Sequence, residues 1–433
     1  MNLKNNDPRI YNLINNDLKR QKENLILIPS ENFTSKAVRE AEGSVVMHKY
    51  SEGQIGKRYY EGNEIIDQIE SVCKKRALKT FNLDSRWHVN VQPYSGSIAN
   101  LSVYNALIKP GDKIMGMYLF DGGHLSHGWK YKDKSISFSS KIYEVAYYHV
   151  NSDTGIFDYN EVEKIAFHEK PQILISGGTA YPREIDHQRL SKITKKINAY
   201  YVADIAHEAG LVAAGVNQSP FPFADVVTMT THKTLRGPKG ALIFCKKEFA
   251  DVIDRSVFPG LQGGPINNTI AAIAVCLKEA QFRSFKIYAK QVIFNAKALA
   301  QELENYEFKL ISGGTDKHLI LIDLYNKKIN GKYAARALSL AGITSNKNSI
   351  PNEKGSPANP SGIRIGTPAV TSRGMKEKEM KIIASIINEV INEAKLYTDL
   401  DFEKFEKKAA SLKRIQDIKK KVKSLCLKFP LPE

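Results

Sequence analysis

The chain has 433 residues, with 63 Lys and Arg against 46 Asp and Glu, which gives a formal net charge of +17. Hydrophobic residues make up 42% and aromatic residues 9%, which excludes a disordered chain. The longest apolar run, 270–277, is too short to span a bilayer, and the N-terminal segment lacks the apolar core of a secretory signal. The 4 cysteines form no CxxC pair, so we expect neither a disulfide scaffold nor a zinc ribbon, and we expect a cytoplasmic location.

The excess of positive charge has two explanations. Lysines spread along helix-like stretches, as in 375–395 and 413–423, are typical of a solvated surface, and we favour this explanation. The second explanation is that the chain is an RNA-binding protein that uses its basic surface to bind nucleic acid. No RNA-recognition signature, zinc finger or basic region with heptads accompanies the charge, so we do not expect nucleic acid to be the main partner.

The first two-thirds of the chain predict an N-terminal arm over 1–45 and a large domain over 46–275. The arm contains a polar helix over 7–24 and an apolar run over 25–29. Beyond it, strands alternate with helices, which is typical of an α/β fold with a mostly parallel central sheet flanked by helices. The predicted helices are 64–81, 98–107, 159–169 and 187–197, and the predicted strands are 88–92, 113–117, 142–150, 172–176, 200–204, 226–230 and 240–244.

The remainder predicts a smaller C-terminal α+β domain over 276–433. A long helical stretch over 270–303 connects the two domains, and the proline-containing segment 346–362 is predicted as a loop. Strands are predicted over 308–311, 318–323 and 364–366, and helices over 332–341, 375–395 and 402–426.

The most informative segment is the strand 226–230, which runs into the hydroxyl-rich turn 231–238. Lys233 lies in this turn, at a strand end, where ligands bind in open parallel sheets. Most single lysines are solvated surface charges, but a lysine near cationic or apolar groups has a depressed pKa and can form a Schiff base. Lys233 is therefore the candidate nucleophile.

Asp204 ends the predicted strand 200–204, and His207 follows it. Asp204 has two explanations: it caps a helix that begins there, or it faces a pyridinium nitrogen. An ion pair of the second kind is worth about 4 kcal/mol at an effective dielectric constant of about 20, which keeps the nitrogen protonated near neutral pH. The spacing to Lys233 leaves room for a connecting segment and one strand, so both residues fit the same edge of the sheet.

Two further segments each allow a functional and a plainer explanation. Ser95, Gly96 and Ser97 precede a helix, where free amides bind anions, although an ordinary serine N-cap explains them equally well. His124 and His127 have a spacing that suits a metal, but the sequence offers no third ligand. A flat imidazole stacked on a flat cofactor is equally permitted there, and we predict no metal.

Together these segments resemble serine hydroxymethyltransferase, a fold-type I family that depends on pyridoxal 5′-phosphate (PLP). The resemblance runs from about residue 25 to the C-terminus. It is highly specific because the sequence blocks of the family occur together here and in the family's order. The chain departs from the usual pattern at Tyr94 and Asp121, where histidines are usual, and in extra residues between 128 and 138. The blocks are LIPSEN, KYSEGQIGKRYYEGNEIID, NVQPYSGSIAN, GGHLSHG, DIAHEAGLVAAGV, TTHKTLRGPKG, FPGLQGGP, NKNSIPN and SGIRIGTPA.

The resemblance implies how the cofactor is bound. Lys233 binds PLP covalently, Asp204 pairs with the pyridinium nitrogen, and His124 stacks on the ring. Ser95, Gly96 and Ser97 bind the phosphate, and Gly263 and Gly264 of a neighbouring subunit also contact it. The implied cofactor-binding residues are Ser95, Gly96, Ser97, His124, Thr179, Asp204, His207, Thr230, His232, Lys233, Gly263 and Gly264.

The resemblance also implies substrate and folate positions. Arg364 binds the substrate carboxylate with its planar fork, and Ser30 and, from across a dimer, Tyr60 face the same amino acid. Glu52 carries a proton at the substrate hydroxyl, and Tyr50 contributes to the shared site. The implied catalytic residues are Lys233, Glu52, His124, Asp204 and Tyr50, and the implied folate-binding residues are Glu52, Tyr59, Leu119, Gly123, Leu125 and Asn348.

The implied reaction interconverts L-serine and tetrahydrofolate with glycine and 5,10-methylenetetrahydrofolate, with PLP as the electron sink. The implied assembly is a homodimer with shared active sites, and no membrane association is expected. An alternative of the same chemical class is a PLP aldolase that cleaves 3-hydroxy amino acids without folate.

Overall fold

The computed structural model describes residues 2–132 and 134–432. Its helices, in chain order from α1 to α17, are Leu3–Asn6, Pro8–Glu23, Lys36–Glu42, Glu64–Thr80, Gly96–Leu107, Phe138–Ile142, Tyr159–Glu169, His187–Ile197, Ala209–Ala213, Ala250–Arg255, Asn267–Glu279, Arg283–Asn305, Gly331–Leu340, Pro368–Ser372, Glu377–Ala394, Phe402–Ser411 and Lys413–Leu427. Its strands, from β1 to β17, are Leu25–Ile26, Gly53–Gln54, Lys57–Arg58, Trp87–Asn90, Lys113–Met117, Lys130–Tyr131, Lys134–Ser135, Glu144–Tyr148, Ile173–Ser176, Tyr200–Asp204, Val226–Thr230, Ala241–Lys246, Lys309–Leu310, Leu319–Asp323, Ile343–Thr344, Asn346–Asn348 and Gly362–Gly366.

The chain folds into two compact units. One is Thr34–Gln291, and the other combines the N-terminal segment up to Phe33 with the chain from Val292 onward. The domain boundaries expected from sequence, at 45 and 275, stay a prediction. Among the residues that the structure describes, no helix is both long and apolar enough to cross a membrane.

The unit Thr34–Gln291 is built on a mixed sheet with seven strands in its described residues, in the order β4-β12-β11-β10-β9-β5-β8. Of these seven strands, β12 runs in the direction opposite to the other six. The central strands β9 and β11 are buried along their whole length and carry mostly apolar side chains, as expected for strands buried on both faces. The expected mostly parallel α/β sheet is confirmed.

The carboxyl ends of β10 and β11 lie side by side, with Asp204 paired in register with Thr228. Ile205 continues the contact by donating its backbone N–H to the Thr228 carbonyl at 2.9 Å. Because Asp204 ends β10 and Lys233 follows β11, both residues lie at the same edge of the sheet.

The second unit contains an antiparallel sheet of order β13-β14-β17-β16 and a parallel pair of β1 with β15. Its apolar core includes Ile320, Ile322 and Ile365 from the sheet and Ile383 and Ile387 from α15. The N-terminal strand β1 contributes Leu25 to the same core. The expected smaller α+β domain at the C-terminal end of the chain is confirmed.

Three predicted elements differ from the structure. The stretch 270–303 is two helices, α11 and α12, separated where Gln281 donates to Leu277 O and Thr80 Oγ1, both at 3.1 Å. The stretch 402–426 is also two helices, because Leu412 between them adopts an extended backbone. The predicted loop 346–362 begins with the short strand β16.

One buried arginine joins the two ends of the second unit. Arg373 donates to carbonyl groups at the C-terminal end of α2, at Gln21, Lys22 and Asn24, over 2.8–3.1 Å. It also donates to Cys426 O at 2.6 Å and Phe429 O at 2.7 Å, at the end of α17. The carbonyls at a helix end lack intrahelical partners, so the guanidinium caps both helices at once.

Replacement of Arg373 by Met is expected to release α2 from this unit, because several buried carbonyl groups lose their donor. We expect the opening free energy of α2 to fall by about 3 kcal/mol. Hydrogen exchange of the backbone amides in 8–23 measures this. Arg86→Met is the control, since the Arg86 side chain is 86% exposed and pairs with Asp84 at the surface; equal exchange in both variants contradicts the capping role.

Candidate active site

Asp204 is a buried carboxylate whose oxygens both accept hydrogen bonds. Its Oδ2 accepts from Asn100 Nδ2 at 2.8 Å and lies 3.0 Å from His127 Nε2. Its Oδ1 accepts from the backbone N–H of Ala206 at 3.0 Å. The next helix, α9, begins only at Ala209 with Glu208 at its N-cap, so Asp204 is not a helix cap.

These contacts keep Asp204 ionised. Burial opposes its ionisation, but the hydrogen bond and charge of His127, the charge of His124 and the hydrogen bond of Asn100 hold the pKa of the carboxyl well below its usual range. A buried carboxylate that stays negative is suited to pair with a cationic ring nitrogen.

His127, like Asn100, is a residue of this network that the sequence analysis did not assign to the site. Its other ring nitrogen, Nδ1, is buried and has no hydrogen-bond partner in 2–132 and 134–432. A neutral His127 therefore places its proton on Nε2, which faces Asp204. The paired histidines of GGHLSHG were the available signal, but their spacing suggested only a metal.

A third group does lie near the two histidines. The ligand-type atoms of His124, His127 and Asp204 are all within 4.8 Å of one another. Within this group His127 Nε2 and Asp204 Oδ2 are 3.0 Å apart, which is the length of a direct hydrogen bond.

His124 is joined to the same network through Ser126. His124 Nδ1 lies 2.7 Å from Ser126 Oγ, and Asn100 Nδ2 donates to that same hydroxyl at 2.8 Å. Asn100 is in turn fixed by Thr228, whose hydroxyl donates to Asn100 Oδ1 at 2.7 Å. The half-buried ring of His124 is thus oriented by the groups that hold Asp204.

The segment 95–97 forms the start of α5. Ser95 is the N-cap, and its hydroxyl accepts the Ile98 N–H at 3.5 Å. A Cβ atom on Gly96 would lie 2.7 Å from Thr230 Cγ2, so glycine allows the helix start to approach β11 closely. Free amides at a helix N-terminus attract phosphate, which suits this position. The serine cap and the anion site are compatible.

Lys233, His232 and His207 belong to the loops that follow β10 and β11. Thr234 links these loops, since its hydroxyl donates to His207 O at 2.8 Å and accepts from Gly210 N at 3.0 Å. Burial and the charges of Lys233 and Lys239 lower the pKa of His232 to about 4, so His232 is neutral at pH 7.

Thr179 and Thr230 complete this side of the site. Thr179 donates its N–H to Gly122 O at 2.6 Å, which places it beside the glycine pair that precedes His124. Thr230 Oγ1 donates to Ala206 O at 3.1 Å. The loop after β10 is therefore fixed to the end of β11.

The segment that carries Tyr50, Glu52, Tyr59 and Tyr60 is held by one buried arginine. Arg58 donates to Ser51 O at 2.9 Å and Gly53 O at 2.6 Å, and it pairs with Asp67 at 2.8 Å and Glu70 at 2.6 Å on α4. Its side chain is only 3% exposed. The β2–β3 hairpin is thereby fixed to α4.

Three of the tyrosines on this segment remain exposed in the single chain: Tyr50 by 56%, Tyr59 by 74% and Tyr60 by 45%. The rings of Tyr50 and Tyr60 meet edge-on with centroids 5.2 Å apart. The negative charge of Glu52 raises the pKa of the Tyr60 hydroxyl. Exposed aromatic area of this kind is typical of a surface that receives a ligand or another subunit.

Gly263 and Gly264 lie beside this segment within one chain. A Cβ on Gly263 would be 3.2 Å from Glu52 Oε1, and one on Gly264 would be 3.2 Å from the Tyr50 ring. Tyr94 donates its hydroxyl to Gly264 O at 2.6 Å. Tyr94, which departs from the family pattern, is thus used to hold the glycine turn.

Three of the folate positions expected in this unit, Leu119, Gly123 and Leu125, lie on a single stretch of chain. Leu119 begins a short 3-10 helix and Leu125 begins the next, with Gly123 between them. Asp121, the other departure from the family pattern, is buried and pairs with His149 Nδ1 at 2.8 Å. The Asp121 carboxylate therefore faces His149, the residue that directly follows β8. The extra residues after Gly128 include the hairpin β6–β7.

Arg364, Ser30 and Asn348 belong to the second unit. Arg364 lies on β17, is 6% exposed, and donates its Nε–H to Asn346 Oδ1 at 3.1 Å. Burial lowers the pKa of its guanidinium to about 10. The segment before Ser30 contacts the same strand, because Gly366 donates its N–H to Leu27 O at 2.7 Å. Asn348 pairs in register with Gly362 of β17.

The residues of the first unit fit PLP. The carboxylate of Asp204 is held ionised, the N-terminus of α5 offers free amides, and Lys233 offers an amine near the same sheet edge. A buried anion suits a pyridinium nitrogen, amides suit a phosphate, and an amine suits an aldehyde. Together with the mostly parallel sheet and the smaller α+β unit, these features define a fold-type I PLP-dependent transferase.

Comparisons with known proteins identify the family. Residues 3–387 match the family model of serine hydroxymethyltransferase. The chain is 50% identical over 430 residues to a serine hydroxymethyltransferase of Desulfotalea psychrophila. The aligned region covers 99% of this chain and 96% of that relative. The chain belongs to the serine hydroxymethyltransferase family.

Membership establishes the activity. The chain is a PLP-dependent enzyme with tetrahydrofolate as co-substrate, and it interconverts serine and glycine with transfer of a one-carbon unit. Neither the folate-independent aldolase nor the RNA-binding protein is favoured by these matches.

Replacement of His127 by Leu is expected to weaken PLP binding, because Asp204 loses a donor and becomes easier to protonate. A lost hydrogen bond to a charged group corresponds to about 10- to 100-fold in the dissociation constant. Titration of the apoprotein with PLP, followed by protein fluorescence, measures the change. His168→Leu is the control, since His168 is an exposed histidine beside Glu169. Unchanged affinity in His127→Leu contradicts the role of the pair.

Proposed function

We propose the following roles for the residues of the site. Lys233 binds PLP covalently, Asp204 pairs with the pyridinium nitrogen, and His124 stacks on the ring. The observation that carries this assignment is the buried, ionised Asp204 at the sheet edge that also bears Lys233. The remaining cofactor contacts are assigned to Ser95, Gly96, Ser97, Thr179, His207, Thr230, His232, Gly263 and Gly264.

We assign the amino-acid carboxylate to Arg364. Its buried guanidinium has a planar fork of donors that matches a carboxylate, and burial strengthens such a pair. Ser30 lies on the segment that contacts the same strand β17, so it is assigned to the same substrate. Tyr60 joins them as a contact from a second subunit.

The chemistry that PLP supplies when bound is an electron sink for the bond that breaks between Cα and Cβ of serine. Glu52 accepts the proton of the serine hydroxyl as that bond breaks, and it returns the proton in the reverse direction. Tyr60, whose pKa is raised by the nearby charge of Glu52, orients the carboxylate. Tyr50, edge-on to Tyr60, excludes water from this group.

Folate binding is assigned to Glu52, Tyr59, Leu119, Gly123, Leu125 and Asn348. The apolar side chain of Leu125 and the ring of Tyr59 are exposed by 49% and 74%, which leaves area to cover a flat ring system. The charge of Asp121 is satisfied by His149, so it does not add a second negative group to this surface.

We further propose a cytoplasmic homodimer whose active sites combine residues of both chains. The segment 45–65 exposes several large apolar side chains, which favours a covered surface. They are Val45, Met47, Tyr50, Tyr59, Tyr60 and Ile65. Tyr50 and Tyr60 are then close to the neighbouring chain's site.

Hydride reduction of the holoenzyme followed by peptide mass spectrometry tests the role of Lys233. We expect a PLP adduct on the peptide that contains Lys233 and none after Lys233→Ala. Lys192→Ala, which replaces a lysine on α8, serves as the control and is expected to keep the adduct. An adduct on another side chain, or no adduct, contradicts the assignment.

Arg364→Lys is expected to raise KM for serine, because Lys offers a point charge without the bidentate fork. We expect a loss of about 10- to 100-fold in kcat/KM with PLP still bound, as for a charged hydrogen bond. Steady-state kinetics and the visible spectrum measure the two effects separately. Loss of PLP with an unchanged KM contradicts the carboxylate role.

Subunit complementation tests the shared site. Lys233→Ala and Glu52→Gln are expected to be inactive alone. If Lys233 and Glu52 act from different chains, mixed dimers regain one intact site, and random reassortment recovers about a quarter of wild-type activity. Sedimentation measures the dimer in the same samples. No recovery from a confirmed mixed dimer means that both residues act within one chain.

A further inference from the structure

The turn that carries Lys233 ends in a strained residue. Arg236 has a φ of +65°, the left-handed region that side chains other than glycine seldom adopt. Its N–H donates to Lys233 O at 3.2 Å, so Lys233 and Arg236 are the two ends of one turn. Strained backbone persists only where the surroundings hold it, and it concentrates at functional sites.

The side chain of Arg236 shows what holds the strained conformation. Its guanidinium lies 4.1 Å from the ring centroid of Tyr288 and 5.3 Å from that of Phe285, both on α12. Phe285 is 1% exposed and Tyr288 is 7% exposed, so the rings are fixed by packing. A planar cation over a buried aromatic ring is attracted more strongly than one at the surface.

The same helix also holds the middle of the turn. Tyr288 donates its hydroxyl to Thr234 O at 3.4 Å, and Cys276 of α11 donates to Leu235 O at 3.3 Å. Gly237 N donates to Thr231 O at 2.7 Å and closes the turn behind Arg236. The carbonyls of the turn are therefore held by α11 and α12, and the side chain of Arg236 adds a second link to Tyr288 and a contact with Phe285.

We propose that Arg236 is a positioning residue that sets the direction of the Lys233 amine, through a clamp formed by Phe285 and Tyr288. The proposal rests on the role assigned to Lys233 above. Arg236 acts through the backbone of the turn: the stacked guanidinium keeps the left-handed conformation, and that conformation fixes the Lys233 carbonyl and side-chain direction. Without the clamp, the turn relaxes and the amine samples several directions.

Two variants remove the clamp from opposite sides. Arg236→Gly removes the stacked cation and leaves the turn without a preferred conformation, because glycine adopts positive and negative φ about equally. Tyr288→Leu keeps the strain and removes the main ring together with its hydroxyl bond to Thr234 O. Both are expected to keep PLP bound, to lower the rate at which glycine displaces Lys233 by about 10- to 100-fold, and to shift the pH midpoint of the lysine-bound PLP absorption band. The pH midpoint reports the lysine itself, so a merely structural role elsewhere leaves it unchanged.

Two matched controls separate the clamp from its components. Lys170→Gly relieves a left-handed φ of 48° at the end of α7, and Arg189→Ala removes an arginine stacked 4.8 Å over Tyr159. Both are expected to keep the wild-type midpoint and rate. Arg236→Lys keeps the charge without the planar stack and is expected to fall between wild type and Arg236→Gly, which provides a milder variant if glycine or leucine impairs folding.

The double variant Arg236→Gly/Tyr288→Leu decides between one clamp and two independent effects. A single clamp predicts that the double variant is no slower than the worse single variant. Additive losses, or a wild-type midpoint and rate in both Arg236→Gly and Arg236→Lys, overturn the proposal. A wrong assignment of Lys233 would be recognised independently of these variants. That assignment predicts the lysine-bound PLP absorption band and the hydride-reduced adduct in the wild-type protein.

Discussion

The site depends on keeping one negative charge inside the protein. A buried carboxylate is costly unless hydrogen bonds replace its water, and Asp204 is satisfied by groups from three different parts of the chain. Asn100 belongs to α5, whose first turn is the candidate phosphate cradle, and His127 follows the stacking histidine, His124. The network that stabilises the charge therefore also positions the elements that surround it.

Asp121 and Tyr94, which differ from the family pattern, each contact a partner within their own unit. Asp121 pairs with His149, and Tyr94 holds the turn at Gly264. Each replaces a histidine of the family pattern, and each keeps a polar partner within its own unit. Such substitutions change the local hydrogen bonds while the arrangement of Asp204, Asn100 and His127 remains available.

The sequence predicted the large sheet well because its strands are short apolar runs between clear helices. Strands at 113–117, 200–204 and 226–230 have the expected bounds. Breaks at 280–282 and 412 were missed, because they depend on side-chain contacts and local backbone conformation rather than on proline or glycine. Residues such as Lys233 and Asp204 are readable from motifs at strand ends. The supporting roles of His127 and Asn100 were not readable, since each depends on a partner distant in the chain. The role of Arg58 was not readable either, because its partners meet it only once the β2–β3 hairpin packs on α4.

The cap formed by Arg373 has a consequence for protein synthesis. The helix α2 leaves the ribosome well before α17, but its carbonyls are capped by a residue 349–352 positions later and share that residue with the end of α17. Residues 34–291 form a unit whose contacts are complete earlier in translation. The helix α2 must therefore wait for Arg373 and α17, which are made much later, before it reaches its final place.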